Sequence, residues 1–314
     1  MTETRTPART VIMDHDGSLD DLLSLLLLTR YDVDLQGVAV TPADCLLAPA
    51  LSVTHRILDL ADLPHVQVAP GSLSGPHPFP MAWRTDALRV EALPVLNRFP
   101  PRERTPGPVL PAHEQLVKWI EQAATPLTIL VTGPLTNLAW CLDKHPWLEQ
   151  AIGEIVFMGG AFDVEGNVEE PGHDGSAEWN VYCDPKAAQR VFATQIPITL
   201  FPLDVTNQVP VTDEFVRAFG AHYGNPASDL AGSLLAMTFG TVETVGSPYC
   251  CWDSLATSYL AAPELFTFDQ VRCTVVVDGA SEGRTVRADD GRVVRCAITV
   301  KQEDFYRHCL QLLT

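Results

Sequence analysis

Basic residues are scarce in this chain: 21 Lys and Arg stand against 39 Asp and Glu, for a formal net charge of -18. That balance repels a phosphate backbone and an anionic bilayer alike, which excludes nucleic-acid and membrane partners and leaves small neutral substrates open. Long apolar runs are missing too. The longest, around Leu22 to Leu28, is broken by Ser24 and is far too short to span a bilayer. The first residues, M-T-E-T-R-T-P-A-R-T, carry no apolar segment of a secretory leader, so a cytoplasmic protein is expected. The eight cysteines include no C-x-x-C pair, which argues against a thiolate zinc site or a disulfide framework and for free, buried thiols. Internal repeats and low-complexity tracts are absent as well.

What is present is an alternation. Apolar runs bounded by turn residues, T-V-I-M, L-Q-G-V-A-V, V-Q-V-A, L-T-I-L-V-T, I-V-F-M-G-G and I-T-L-F-P-L, recur with helical stretches between them. The first helical stretch, D-D-L-L-S-L-L-L-L-T-R, has acids in its first turn and Arg30 at its end, as the helix dipole prefers. The pattern implies an α/β fold, an open, mostly parallel (Rossmann-like) sheet with helices on both faces and an active site at the strand C-terminal ends. Length alone allows two domains, yet folds of this class are often one, and a single domain over 1–314 is expected. Residues 70–112, with P-H-P-F-P-M-A-W-R, read as a long ordered loop over the crevice, because a linker rarely carries Phe79 and Trp83. Near the end, V-R-C-T-V-V-V-D and R-V-V-R-C-A-I-T-V suggest a hairpin, and D-F-Y-R-H-C-L-Q-L-L a last helix.

The polar segments after these runs include M-D-H-D-G-S-L-D-D, residues 13–21, with four carboxylates: Asp14, Asp16, Asp20 and Asp21. Two chemistries compete for them. D-x-D-G-S after a strand opens haloacid-dehalogenase-type phosphatases, with Asp14 as nucleophile; alternatively the acids jointly hold a hard cation that activates water. On a strand Asp14 and Asp16 share a side while His15 points away, so His15 reads as structural. Crowded like charges call for a cation or for retained protons, and an oxygen-only set favours Ca2+ or Mg2+ over Zn2+. The phosphatase reading leaves Asp20 and Asp21 unexplained.

Five segments in register then resemble one family: D-H-D-G-S-L-D-D, V-T-G-P-L-T-N-L-A, M-G-G-A-F-D-V-E-G-N-V, A-E-W-N-V-Y-C-D-P and W-D-S-L-A-T. Together they resemble the nucleoside hydrolases, the N-ribohydrolases that split nucleosides into ribose and free base. D-H-D-G at 14–17, A-D-C at 43–45, P-F-P-M-A-W-R at 78–84 and W-D at 252–253 resemble the purine-preferring, inosine-adenosine-guanosine branch. The resemblance implies that Asp16, Asp21, the main-chain carbonyl of Thr132 and Asp253 hold a Ca2+, with Asp16 as general base. It implies that Asp20, Asn167, Glu178 and Asn180 grip the ribose hydroxyls, with Met158 beneath the sugar and Trp179 in the same substrate-binding set. Trp83 and Trp252 would sandwich the purine, and Asp44 would hydrogen-bond its edge. Relatives form dimers or tetramers, so a homo-oligomer is implied.

These residue types suit the chemistry. Cleaving an N-glycosidic bond develops an oxocarbenium-like ribosyl cation, which nearby carboxylates favour. The family's usual leaving-group acid is a His before the Asp; here that position is Trp252, so aromatic stacking is expected to make the purine more basic instead. Ser18 stands where the purine branch usually has Asn, and Ala82 where an acid can precede the loop Trp. A nucleoside-binding protein without turnover is the rival outside enzymes, and a water-activating base is what such a binder would not need.

Overall fold

The alternation of apolar runs produces nine strands among the described residues. The structure, a computed structural model, describes residues 9–102, 110–245 and 248–314. Residues 1–8, at which no leader is expected, and 103–109 of the Pro-rich stretch lie outside these. The strands are β1 (Arg9–His15), β2 (Val33–Val40), β3 (Gln67–Pro70), β4 (Leu127–Val131), β5 (Ile152–Met158), β6 (Ile198–Phe201), β7 (Phe266–Val275), β8 (Thr285–Arg287) and β9 (Arg292–Val300). Their order in the sheet is β3-β2-β1-β4-β5-β6-β9-β7-β8. Neighbours from β3 through β6 to β9 pair parallel, while β7 is antiparallel to β9 and β8. The expected hairpin is therefore present, and a short third strand extends it.

Helices cover both faces, and alternation along each strand decides which side chain meets which layer. Val11, Met13, Leu130, Val156 and Phe201 pack in one cluster with the helices Leu19–Leu28, Leu47–Leu60 and Gln302–Leu313. Ile12, Ile129, Val131, Phe157 and Leu200 join the opposite cluster with the helices Ala112–Gln122, Thr136–Lys144 and Pro185–Phe192. The helix Leu19–Leu28 is buried along its whole length, Asp20, Asp21 and Ser24 included, and its leucines face inward on all sides. It stops at Leu28 with Thr29 as cap, where Thr29 Oγ1 donates to Leu26 O at 2.7 Å, so Arg30 stands beyond it. Each wholly buried Leu there contributes about 1.5–3 kcal/mol.

The order β3-β2-β1-β4-β5-β6 reverses direction between β1 and β4, and at such a switch point the chains leave in opposite directions and open a crevice. There Thr132 N donates to Asp14 O at 3.0 Å and Thr41 N to His15 O at 2.7 Å, which brings the ends of β4 and β2 against the end of β1. The Pro-rich stretch is more helical than a loop: Met81–Arg84 and Asp86–Glu91 each form a short helix. All eight cysteines are buried and free. No helix among the described residues is long and apolar enough to cross a membrane.

Candidate active site

After β1 the chain turns sharply at Gly17, whose φ of +84° suits glycine. A side chain there would also strike Cys45, since a Cβ at Gly17 lies 2.8 Å from Cys45 Cβ. Ser18 then caps the helix Leu19–Leu28 in a reciprocal box: Ser18 N donates to Asp21 Oδ2 at 2.9 Å, and Asp21 N to Ser18 Oγ at 3.4 Å. The turn divides the acids. Asp16, Asp44, Glu178 and Asp253 line one open cleft with Ser18, Thr132 and Met158, whereas Asp14, Asp20 and Asp21 are buried and do not line it.

Asp14 is 1% exposed. It accepts from Thr41 Oγ1 at 2.8 Å and from Asn137 Nδ2 at 3.2 Å, and burial pushes it up to about 6. Asp21 receives Thr132 Oγ1 on Oδ1 at 2.5 Å. Asp20, expected at the ribose, holds the start of the helix Trp252–Ser258. It accepts Asp253 N at 2.5 Å and Ser254 Oγ at 2.7 Å, and burial raises it to about 7. Its partners at a helix N-terminus account for the acid in dipole terms. His15 is wholly buried, with Nε2 3.1 Å from Thr54 Oγ1, and burial lowers its pKa, which fits the structural reading.

Asp16 is 2% exposed, and its Oδ2 has no hydrogen-bond partner. Burial first, then the charges of Asp21, Asp44 and Asp253, hold its pKa far above the usual carboxylate range. Asp253 is raised in the same way, by burial and then by Asp21 and Asp20. Among the described residues no three His, Cys, Asp or Glu side chains already form a ligand cage. The donors nevertheless fit a hard cation: they are all oxygens, they destabilise one another's charges, and one buried oxygen is unmatched. The Thr132 carbonyl lies in the same group, where it accepts Asn180 Nδ2 at 3.0 Å.

Beside these acids lie the residues expected at the sugar. Glu178 accepts Asn180 N at 2.8 Å, Gly160 N at 2.9 Å and Val181 N at 3.2 Å, capping the helix Trp179–Cys183, while burial pushes it up to about 7. Asn180 directs its Nδ2 to Thr132 O and, at 3.2 Å, to Met158 O. Asn167 Oδ1 accepts Trp179 N at 3.0 Å, and Trp179 Nε1 donates to Asn167 O at 2.9 Å. Asn167, Met158, Trp179 and Asn180 all line the cleft.

Aromatic rings form much of the rest of the lining, with Asp86 and Pro248. Trp83 meets Trp179 edge-on at 5.6 Å between centroids, with Phe79 4.9 Å from Trp179. Trp252 belongs to a separate group, 4.4 Å from Tyr249. Phe79, Tyr249 and Asp86 are lining residues that sequence reasoning does not assign. Asp86 lies one helical turn after Trp83, a signal that a loop reading of the stretch conceals. Tyr249 carries no periodic signal. Among the described residues no His, Lys or Arg lines the cleft.

Comparison with known proteins agrees with the fold. The model of the family described as inosine-uridine preferring nucleoside hydrolase matches residues 11–307. A pyrimidine-specific ribonucleoside hydrolase of Shewanella woodyi is 32% identical over 296 residues, covering 88% of each chain. One from Escherichia coli is 30% identical over 293 residues, covering 88% of this chain and 87% of its own. The crystal structure of an inosine-uridine preferring nucleoside hydrolase from Bacillus anthracis superposes with a TM-score of 0.90 at 38% identity, over 97% of this chain and 99% of that one. A purine-preferring ribonucleoside hydrolase from Gardnerella vaginalis, at 24% identity and a TM-score of 0.79 over 97% of this chain and 98% of that one, shares the fold. The purine branch expected from the motifs is thus not the one named by the relatives of higher identity.

Proposed function

The chain belongs to the inosine-uridine preferring nucleoside hydrolase family, and from that membership we propose that it is a calcium-dependent ribonucleoside hydrolase with a preference for purines. Hydrolysis of the N-glycosidic bond, giving ribose and free base, is the chemistry of the family. The observation that carries the finer reading is the union, in one cleft, of a buried and unpartnered Asp16 oxygen with two aromatic walls.

In this reading Asp16, Asp21, the Thr132 carbonyl and Asp253 hold the calcium. When bound, it offsets their mutual repulsion and makes a neighbouring water easier to deprotonate. Asp16 takes the proton of the attacking water through Oδ2. The buried carboxylates Glu178 and Asp253 favour the positive charge that develops on the sugar. Asn167, Glu178 and Asn180 bind the ribose hydroxyls over Met158, with Trp179 keeping Asn167 in place. Asp20 supports Asp253 through its main-chain N–H.

The leaving base stacks between Trp83 and Trp252, with Asp44 at its edge. Stacking is worth about 1–3 kcal/mol per base, sufficient to favour purines over smaller rings and insufficient to drive catalysis alone. Asp44, with a buried and unpartnered Oδ1, passes a proton to the purine as the bond breaks.

Release of ribose from inosine, adenosine, guanosine, uridine and cytidine tests the proposal, with and without chelator. Purine nucleosides are expected to react faster, and chelation to stop all turnover until calcium is restored. No ribose from any nucleoside by the calcium-loaded protein refutes the hydrolase, leaving the binding-protein rival. Faster uridine and cytidine turnover removes the purine preference alone. The implied dimer or tetramer is read from the mass of the intact protein in solution.

A further inference from the structure

The two aromatic walls are fixed by different means. Trp83 sits within a packed cluster of Phe79 and Trp179. Trp252 is half-buried, packs against the main core cluster, and meets one ring, Tyr249, edge-on at an interplanar angle of 61°. A tryptophan ring turns about a broad sp3–sp2 torsion, so apolar packing along part of the ring leaves its plane loosely set. The directional constraint is a hydrogen bond, in which Trp252 Nε1 donates to Asn207 Oδ1 at 2.9 Å.

Asn207 is exposed, but its main chain is firmly held. It caps the short helix Leu203–Thr206 after β6, with its N–H donating to Leu203 O at 3.0 Å. Asp204 ties that helix to the β5 side of the cleft by accepting Phe162 N at 2.9 Å and Asp163 N at 2.8 Å. The segment after Asn207 pairs with the segment that carries Tyr249: Cys251 N donates to Val209 O at 2.9 Å and Val211 N to Tyr249 O at 2.8 Å. The acceptor is therefore anchored to the sheet end, while the ring it orients faces the cleft.

We propose that Asn207 is a positioning residue for the base-stacking face, setting the plane of Trp252 through its indole N–H. The inference rests on the reading of Trp252 as a stacking wall. An indole offers one donor, so one acceptor selects one ring orientation. Asn207 does not line the cleft, and neither the motifs nor the family resemblance points to it.

The test compares Asn207→Leu, close in volume but without an acceptor, with Asn207→Asp, which keeps one. Both are assayed in the calcium-loaded enzyme on inosine and on p-nitrophenyl β-D-ribofuranoside, whose leaving group departs without protonation. Asn207→Leu is expected to lower kcat/KM for inosine by about threefold to tenfold, the range of one net hydrogen bond. The loss on the nitrophenyl riboside is expected to be less than about half as large, and Asn207→Asp to restore inosine turnover. Equal losses on both substrates, or no loss on inosine while Trp252→Ala loses turnover, overturn the proposal and leave the stacking wall intact. Unchanged inosine turnover in Trp252→Ala overturns the stacking reading, and this inference falls with it.

Discussion

Replacing Glu178 by Gln isolates one buried charge. The carboxylate is 2% exposed and takes three backbone N–H groups, Asn180 on Oε1 and Gly160 and Val181 on Oε2. Burial outweighs those donors and pushes its pKa from 4.5 up to about 7. The folded protein thus holds this proton more tightly than the unfolded chain does. Its contribution to stability is fully present below pH 4.5 and is lost as the pH rises through about 7. About 2.5 units at about 1.4 kcal/mol each come to about 3 kcal/mol by pH 8. Glu178→Gln removes the titration but turns an amide NH2 against one of the backbone donors, leaving a buried N–H unmet at about 1–3 kcal/mol. Urea denaturation in chelator, across pH 5 to 8, measures both proteins. The wild type is expected to be the more stable by about 1–3 kcal/mol at pH 5, and that advantage to fall by about 2.5 kcal/mol by pH 8, since part of the loss is already complete at pH 5. A difference that stays constant within about 0.5 kcal/mol refutes the reasoning, because Glu178 would then ionise alike in both states.

Calcium added to the chelated protein is expected to stabilise it by about 2.7 kcal/mol at a hundredfold excess over Kd, measured by thermal unfolding. The gain should shrink towards acid pH, where the raised carboxyls of Asp16 and Asp253 keep their protons and compete with the cation. Gly17→Ala combines an unfavourable φ of +84° with Cβ approaches of 2.8 Å to Cys45 and 2.9 Å to Ala50. It should destabilise the fold by more than about 1 kcal/mol and lower turnover together with calcium affinity, read by denaturation and by metal titration. Asp14→Ala leaves Thr41 Oγ1 without its acceptor and Asn137 Nδ2 with Thr41 Oγ1 alone, with an expected loss of about 1–3 kcal/mol in denaturation. The wild type is expected to release no phosphate from p-nitrophenyl phosphate, and phosphate release with trapping at Asp14 would restore the phosphatase reading.

The sheet is legible in the sequence because its strands are β-branched runs bounded by turn residues, as at T-V-I-M and L-T-I-L-V-T, and burial on both faces demands such runs. The cleft is legible at the level of which segments meet, since the loops leaving the carboxyl ends of parallel strands must gather at one edge. Individual acids are less so. Strand periodicity puts Asp14 and Asp16 on one side, but β1 ends at His15 and Gly17 reverses the chain, so the two carboxylates part. Nothing local to Asp20 shows that Asp253 and Ser254, more than two hundred residues on, present their N–H groups to it. Ser18, conspicuous as a departure from the branch pattern, has a local reason in its capping box with Asp21. Tyr249 and Asn207 give no sequence signal because their contacts with Trp252 arise only when the segments after β6 and before the helix Trp252–Ser258 pair.

The division of labour within M-D-H-D-G-S-L-D-D also decides between the two chemistries that the stretch first suggests. A phosphoryl-accepting aspartate must reach substrate, yet Asp14 is the acid of the first pair that lies under the loop, its oxygens occupied by Thr41 and Asn137. The acid of that pair that lines the cleft is Asp16, and burial first, then three neighbouring carboxylates, raise its proton affinity. That environment is adverse to a nucleophile receiving a phosphate dianion, since every added negative charge meets Asp21, Asp44 and Asp253. It suits a base whose proton affinity is high and whose repulsion a cation relieves, acting on a neutral nucleoside. The same charges that repel a phosphoester favour a ribosyl cation. The trailing Asp20 and Asp21 then have their place: one steadies the helix that carries Asp253, the other stands between Ser18 and Thr132, and both support a metal-dependent hydrolytic cleft that a phosphatase nucleophile loop has no use for.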